Sequence, residues 1–217
     1  MNPISFNRRG RCRSSEVEPA CVDRARVKRD GATSMSTKTE ATIEDLYHVP
    51  EDGKAEIVNG ELVLMSPTVD LPSSAAMEIA VSLRDHAKRT GVGRSYGDNT
   101  GFVVDLPNRR SFSPDAAYHI GSRTRGKFLE GAPVFAVEVR SEDDYGKRAE
   151  QRLAQKRADY FAAGTLVVWD VDVLRAEEIR KYSADNPDAA AVFRRGERAD
   201  AEPAVPGCSM AVDDLFA

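Results

Sequence analysis

The chain has 217 residues, 41% of them hydrophobic, a net charge of −4 and a pI near 5.5. That length can bury one sizeable core, so one domain with tails is expected. The charge carries no global basic signature of a nucleic-acid binder, although a local basic groove can sit on an acidic protein. No apolar run reaches the roughly 18–20 residues that span a membrane, and the basic N-terminus lacks the apolar centre of a secretory signal.

Residues 1–34 set eight Arg and Lys against four Asp and Glu, with almost no apolar periodicity. Such a segment is expected to be disordered. It reads either as a basic arm that gathers nucleic acid or, the preferred account, as an extension foreign to the protein, with Met35 as an ordinary start. Residues 35–217 are expected to form a single domain. The three cysteines, Cys12, Cys21 and Cys208, form no C-x-x-C pair, and His48, His86 and His119 lack ligand spacing to them. A zinc site or disulfide framework is not expected, and a reducing cytoplasm is the natural compartment.

From Thr42 onward the pattern becomes globular. Thr42-Ile-Glu-Asp-Leu predicts a short capped helix. Ala55-Glu-Ile-Val and Glu61-Leu-Val-Leu-Met, joined by Asn59-Gly60, predict a β-hairpin. Ser73 or Ser74 is expected to cap a helix with Met77, Ile79, Ala80, Leu83 and Ala87 inward, ended by Gly91. Gly101–Leu106 predicts a strand, Asn108-Arg109-Arg110 a turn, and 111–120 a strand interrupted by Pro114. Val134–Val139 reads as a central strand covered on both faces. A helix over about 145–163 and a buried strand from Leu166 to Val171 complete a β–α–β unit, most simply with parallel strands. Smaller strands are expected near 178–182 and 190–193, with Leu215-Phe216 pinning the C-terminus.

Within this frame a few polar residues stand out. Asp115, after Pro114, is ordinary turn chemistry when taken alone. Glu138 is harder to dismiss, because it follows Val-Phe-Ala-Val in the most apolar strand, and a buried acid needs a partner, a metal or a cleft. Its bland alternative is a strand-end acid paired with Arg140. On the helical wheel of 145–163, Leu153, Ala154, Ala158 and Phe161 mark the apolar face, with Lys156 and Tyr160 on its border. A lysine so placed usually snorkels to water. The spacing permits it to reach over the strand end.

Taken in order, Glu56-Ile-Val-Asn-Gly-Glu-Leu-Val-Leu-Met-Ser-Pro, Pro114-Asp115, Ala132-Pro-Val-Phe-Ala-Val-Glu138-Val-Arg-Ser, Lys156-Arg-Ala-Asp-Tyr160 and Trp169-Asp170 resemble the landmarks of the Uma2 family. That family falls in the PD-(D/E)XK nuclease superfamily. The resemblance spans about residues 40–217. It implies an α/β, restriction-endonuclease-like core: a central mixed β-sheet flanked by helices, with an N-terminal β-hairpin. It also implies a metal-dependent endonuclease acting on nucleic acid, with DNA the expected substrate. Glu56, Asp115, Glu138 and Lys156 would be catalytic, Asp115 and Glu138 would hold Mg²⁺ or Mn²⁺, and Arg140, Tyr160 and Asp170 would support them. In the superfamily a lysine more usually stands two residues after the second acid. Here Arg140 fills that place, so the role passes to Lys156, and Arg140 is left to contact a phosphate. Tyr160 would pack against Lys156, and Asp170 would end its strand. No membrane is implied. Cutting both strands of a duplex would favour a homodimer.

Two other classes compete. One is a catalytically weak or inactive nuclease-derived module that binds nucleic acid or another partner. The other is a paired-carboxylate hydrolase acting on a glycoside, but the single tryptophan, Trp169, lies in an apolar strand and offers no sugar platform.

Overall fold

The computed structural model describes residues 40–49 and 53–217, which belong to one compact unit, Thr39–Ala217. The predictions for residues 1–34, for Met35 and for Cys12 and Cys21 lie outside the described residues. The elements in chain order are α1 (Ile43–Tyr47), β1 (Lys54–Val58), β2 (Glu61–Met65), α2 (Asp70–Thr90), β3 (Arg94–Gly97), β4 (Phe102–Leu106), β5 (Arg109–Phe112), β6 (Ala116–His119), β7 (Leu129–Glu130) and β8 (Phe135–Val139). They continue with α3 (Lys147–Ala162), β9 (Val167–Asp172), β10 (Glu178–Ser183), β11 (Asn186–Arg194), β12 (Arg198–Asp200), β13 (Ser209–Ala211) and a 3₁₀ turn at Val212–Phe216.

Most elements follow directly from local chemistry. Thr42 caps α1 in a reciprocal capping box with Asp45. Asn59 and Gly60, both at positive φ, turn β1 back onto β2 in the predicted hairpin. Helix α2 begins earlier than Ser73, at Asp70 after Val69, because Pro72 falls in the first turn, where its missing N–H is no loss. Its buried face is Ala75, Ala76, Ile79, Ala80, Leu83 and His86, while Met77, expected inside, is 62% exposed. Gly91 closes the helix in the left-handed conformation.

Pro114 is the pivot of the fold. The strand predicted for 111–120 is split there into β5 and β6, which belong to different sheets. One sheet has the order β2-β1-β5-β4-β7; the other runs β11-β10-β9-β8-β6-β3, and a separate two-stranded ribbon pairs β12 with β13. Strands β8 and β9 are parallel, joined through α3, as expected. Strand β3 and the two-residue β7 were not anticipated, being too short and too polar to stand out against turns.

Period-two alternation sorts β8 and β9 cleanly. Phe135, Val137 and Val139, with Val167, Trp169 and Val171, face the larger core beneath α2 and the C-terminal segment. Ala136 and Val168 face the smaller core, with Phe102, Phe112, Ala117 and Tyr160. Glu138 and Asp170 therefore point to the α3 side, into the seam between the two sheets.

Gly93 connects α2 to β3 at φ +66°, and a Cβ there would lie 2.3 Å from the Tyr118 ring. Gly93→Ala is expected to destabilise the fold by about 2 kcal/mol or more, from left-handed strain plus a clash with a buried ring. A urea titration measures it, and an unchanged midpoint would contradict the account.

Candidate active site

Four elements deliver the polar cluster. The antiparallel pairing of β6 with β8 matches Ala116 to Val137 and Ala117 to Ala136. One step further along this register Asp115 stands opposite Glu138. The Asp115 N–H donates to the Val137 carbonyl (3.0 Å), and Asp115 Oδ2 accepts from the Val139 N–H (2.8 Å). The carboxylate thus continues the ladder where Pro114 has broken the strand. In β1, Lys54 and Glu56 are two residues apart and share one face. From α3, Lys156 and Tyr160 reach down one turn apart.

The connections are direct. Lys156 Nζ lies 2.7 Å from Glu138 Oε2 and 2.9 Å from Glu56 Oε1. The Tyr160 hydroxyl donates to Glu138 Oε1 (2.7 Å), and its ring stacks on Phe112 with centroids 4.0 Å apart. Lys54 Nζ bridges Asp115 Oδ1 and Asp98 Oδ1, each at 2.7 Å. Arg109 binds Glu56 and Asp159, and Glu56 Oε1 also accepts from the Ser113 N–H at 2.9 Å. Of the residues named from sequence, Glu56, Asp115, Glu138, Lys156 and Tyr160 come together. Tyr160 does more than pack against Lys156, since its hydroxyl fixes Glu138.

Arg140 and Asp170 do not take the places expected of them. Arg140 is 3% exposed and forms a two-pronged pair with Asp170 (2.6 and 2.7 Å) and further bonds to Glu150, so it is not available to a phosphate. Its guanidinium has become the counter-ion of a buried acid. Asp170 lies inside β9 rather than at its end, beside Glu138 in the parallel register, and also has Arg157 at 3.7 Å. The wheel of α3 needs the same correction. Ala154 and Ala158 are exposed, and the buried face carries Ala149, Asp159 and Tyr160, with Lys156 and Arg157 partly buried. Arg152, on the exposed side of α3, donates to the Asp143 carbonyl.

Lys54, Asp98, Arg109 and Asp159 were missed. Lys54 had a readable signal, since it alternates with Glu56, but the predicted strand began one residue too late. Arg109 looked like turn sequence, and Asp159 lay off the apparent apolar stripe.

The charges in this seam do not balance. Glu56, Asp98, Asp115, Glu138 and Asp159 are five carboxylates against the three cations Lys54, Arg109 and Lys156, which leaves two negative charges uncompensated. The adjoining cluster, by contrast, sets Arg140 and Arg157 against Asp170 and Glu150 and is neutral. Glu138 bears the excess. Burial, then repulsion from Asp115 and Glu56, pushes its pKa up to about 7 despite Lys156. Glu56 is more deeply buried than Glu138, but Lys156 and then Arg109 hold its pKa below the usual value. Burial works against the charge on Lys156, yet Glu138 and Glu56 hold its pKa above that of a free lysine, so it keeps its proton.

This donor set fits a hard divalent cation. Magnesium ordinarily takes one or two carboxylates and fills the rest of its octahedron with waters and substrate oxygens. Asp115 and Glu138 supply such a pair, and each of their oxygens, though bonded to one protein donor, keeps a second lone pair. Among the described residues no group of three or more His, Cys, Asp or Glu side chains forms a metal cage, so a zinc-type site does not fit. Ser113 Oγ, two residues before Asp115, is buried without a hydrogen-bond partner among the described residues.

Two measurements check this account. Glu138 binds a proton more tightly folded than unfolded, so its contribution to stability is complete below about pH 4.5 and is lost as pH rises through about 7. His86 and His119, whose pKa values burial depresses, act in the opposite sense over part of that window. In metal-free protein the difference in melting temperature between Glu138→Gln and the parent should therefore shift in the variant's favour from pH 5 to pH 8. A pH-independent difference would contradict it. Arg140→Met leaves Asp170 buried with only the more distant Arg157, and should cost about 3–5 kcal/mol in chemical denaturation.

Comparisons with known proteins bear on the fold and the family. A solved structure from Anabaena variabilis, described as "a putative nuclease belonging to DUF820", superposes with a TM-score of 0.65 at 16% identity, covering 81% of this chain and 97% of that one. At that identity the likeness shows the fold alone. A search of curated proteins returned no significant match. Residues 41–213 match the Uma2 family, whose description is "Putative restriction endonuclease". With the match running from the capped helix α1 to the C-terminal turn, this chain belongs to the Uma2 family.

Proposed function

We propose that the protein is a metal-dependent endonuclease that hydrolyses phosphodiester bonds of nucleic acid, DNA in the first place. The observation that carries this reading is the two-charge deficit around Asp115 and Glu138, two acids made cross-strand neighbours by the break at Pro114. Family membership and the nuclease fold point the same way.

Asp115 and Glu138 would hold Mg²⁺ or Mn²⁺, which supplies a Lewis acid for a phosphate oxygen and an acidified water. The protein's own groups do the rest. Lys156, protonated and gripped by Glu56 and Glu138, presents a fixed positive charge to the negative charge that grows on the phosphoryl oxygens. Because it retains its proton, its part is electrostatic and orienting rather than that of a base. Glu56 aims Lys156, and Arg109 together with the Ser113 N–H holds Glu56 in place. Tyr160 sets the Glu138 carboxylate plane, and Lys54 does the same for Asp115. Water adds to phosphorus, one P–O ester bond breaks, and the leaving oxygen takes up a proton.

Asp115→Asn and Glu138→Gln should each lower cleavage of plasmid or single-stranded DNA at least a hundredfold in Mg²⁺ or Mn²⁺, with melting temperature retained. Lys156→Met should abolish cleavage to a similar degree while also lowering the melting temperature, and Lys156→Arg should recover part of both losses. Absence of cleavage of any DNA or RNA substrate across several divalent metals would sink the proposal.

One observation favours a second reading. Both oxygens of Asp115 and of Glu138 already accept a bond from the protein, from Lys54, the Val139 N–H, Lys156 and Tyr160. A site closed in this way suits an inactive nuclease-derived binding module. Nucleic-acid binding indifferent to metal and to both acid substitutions would favour that module.

A further inference from the structure

An open groove of about 630 Å³ lies between Tyr47, the 96–101 segment and the loop before β7. Three of its lining residues are basic, Arg123, Arg125 and Lys127, all on the loop between β6 and β7, and three are aromatic, Tyr47, Tyr96 and Phe128. The three basic side chains are exposed, and none is ion-paired with an acid among the described residues. By contrast, Lys54, Arg109, Arg140, Lys156, Arg175, Lys181 and Arg195 all have carboxylate partners. Arg125 and Gly126 both adopt positive φ, which turns the loop sharply beneath these side chains. Tyr47, 44% exposed, stacks on Phe128 with centroids 4.4 Å apart and rings 17° from parallel, and its hydroxyl accepts from the Phe128 N–H. One ring is thereby held flat against the other, with a face turned outward.

One end of the groove is joined to the cluster through a chain of bonds. Asn99 and Thr100 line it, and the neighbouring Asp98 is bonded to Lys54, which is bonded to Asp115.

We infer that this groove binds a single-stranded segment of nucleic acid, its phosphates on Arg123, Arg125 and Lys127 and a base on the Tyr47–Phe128 platform, leading the strand to Asp115 and Glu138. The inference rests on the nuclease reading for its direction, but not for binding itself. Unpaired cations beside a supported aromatic ring are the elements of single-strand recognition. Bases in a duplex are stacked on each other and offer no face to Tyr47. The volume is that of a pocket for one or two nucleotides rather than a duplex footprint. The net charge of −4 provides no general attraction for duplex phosphates, so a local patch must do the work.

The test is fluorescence anisotropy of the full chain carrying Glu138→Gln, in EDTA, with a labelled single-stranded DNA, its RNA counterpart and the matching duplex over a salt series. Tighter binding of either single strand than of the duplex is expected. Arg123→Ala/Arg125→Ala/Lys127→Ala should weaken it at least tenfold and reduce the salt slope by about 2, at roughly 0.7 per phosphate contact. Tyr47→Leu should weaken single-strand binding about tenfold, whereas Tyr47→Phe, which keeps the ring and loses only its bond to the Phe128 N–H, should retain most of it. Preference for the duplex, or groove variants that bind like the parent, would overturn the inference even if the enzyme cuts DNA. Groove-dependent binding by a protein that cleaves nothing would leave the inference standing and defeat the nuclease reading.

Discussion

Everything around the site depends on one ammonium group. Lys156 is shared by Glu56 from β1 and Glu138 from β8, and so ties the hairpin sheet, the main sheet and α3 together at a point where apolar packing cannot. The seam between the sheets is otherwise sealed by Phe102, Phe112, Val168 and Tyr160. Opening the seam would cost those contacts, and keeping it closed traps the acids in a medium where unpaired charge is expensive. The protein meets that constraint with a chain of alternating charges, from Asp98 through Lys54 to Asp115, and from Glu138 through Lys156, Glu56 and Arg109 to Asp159.

The two ionic clusters beneath α3 illustrate two uses of buried charge. Around Arg140 the charges match and its guanidinium is paired with Asp170 and Glu150, which holds the segment after β8 against β9. Around Glu138 the acids outnumber the cations, and the mismatch shows in the raised pKa of Glu138. A structural cluster gains nothing from such a surplus. A site that must accept a cation does, because the ion then relieves a repulsion that is already present.

The hairpin, the α2 stop, the β–α–β unit and the acid at 138 were all legible in the sequence, because each rests on local chemistry: positive φ at Asn59-Gly60, a left-handed cap at Gly91, and an acid set in an apolar run. What could not be read was pairing across the seam. The wheel of α3 misled because it scored apolarity, while the buried face is filled by charged residues with partners on other strands. Arg140 shows the same limit. Its position in the chain suggested a phosphate contact, but its partner, Asp170, is set by the register of β8 against β9, which no local pattern encodes. Lys54 lay within reach of period-two reasoning and was lost to a strand boundary drawn one residue late.

Pro114 explains why the acids meet where they do. A regular strand from Ser111 to Ile120 would have kept 111–120 in a single sheet, with backbone amides pairing throughout. The proline removes a donor and sends β5 and β6 into different sheets. The Val139 N–H, at the end of β8, is then taken by the carboxylate of Asp115, and that side chain is fixed beside Glu138 by backbone geometry rather than by packing. An acid held in this way cannot swing away from its neighbour when their charges repel. The repulsion is therefore built into the chain trace itself, and the pair is preorganised for whatever positive charge it receives.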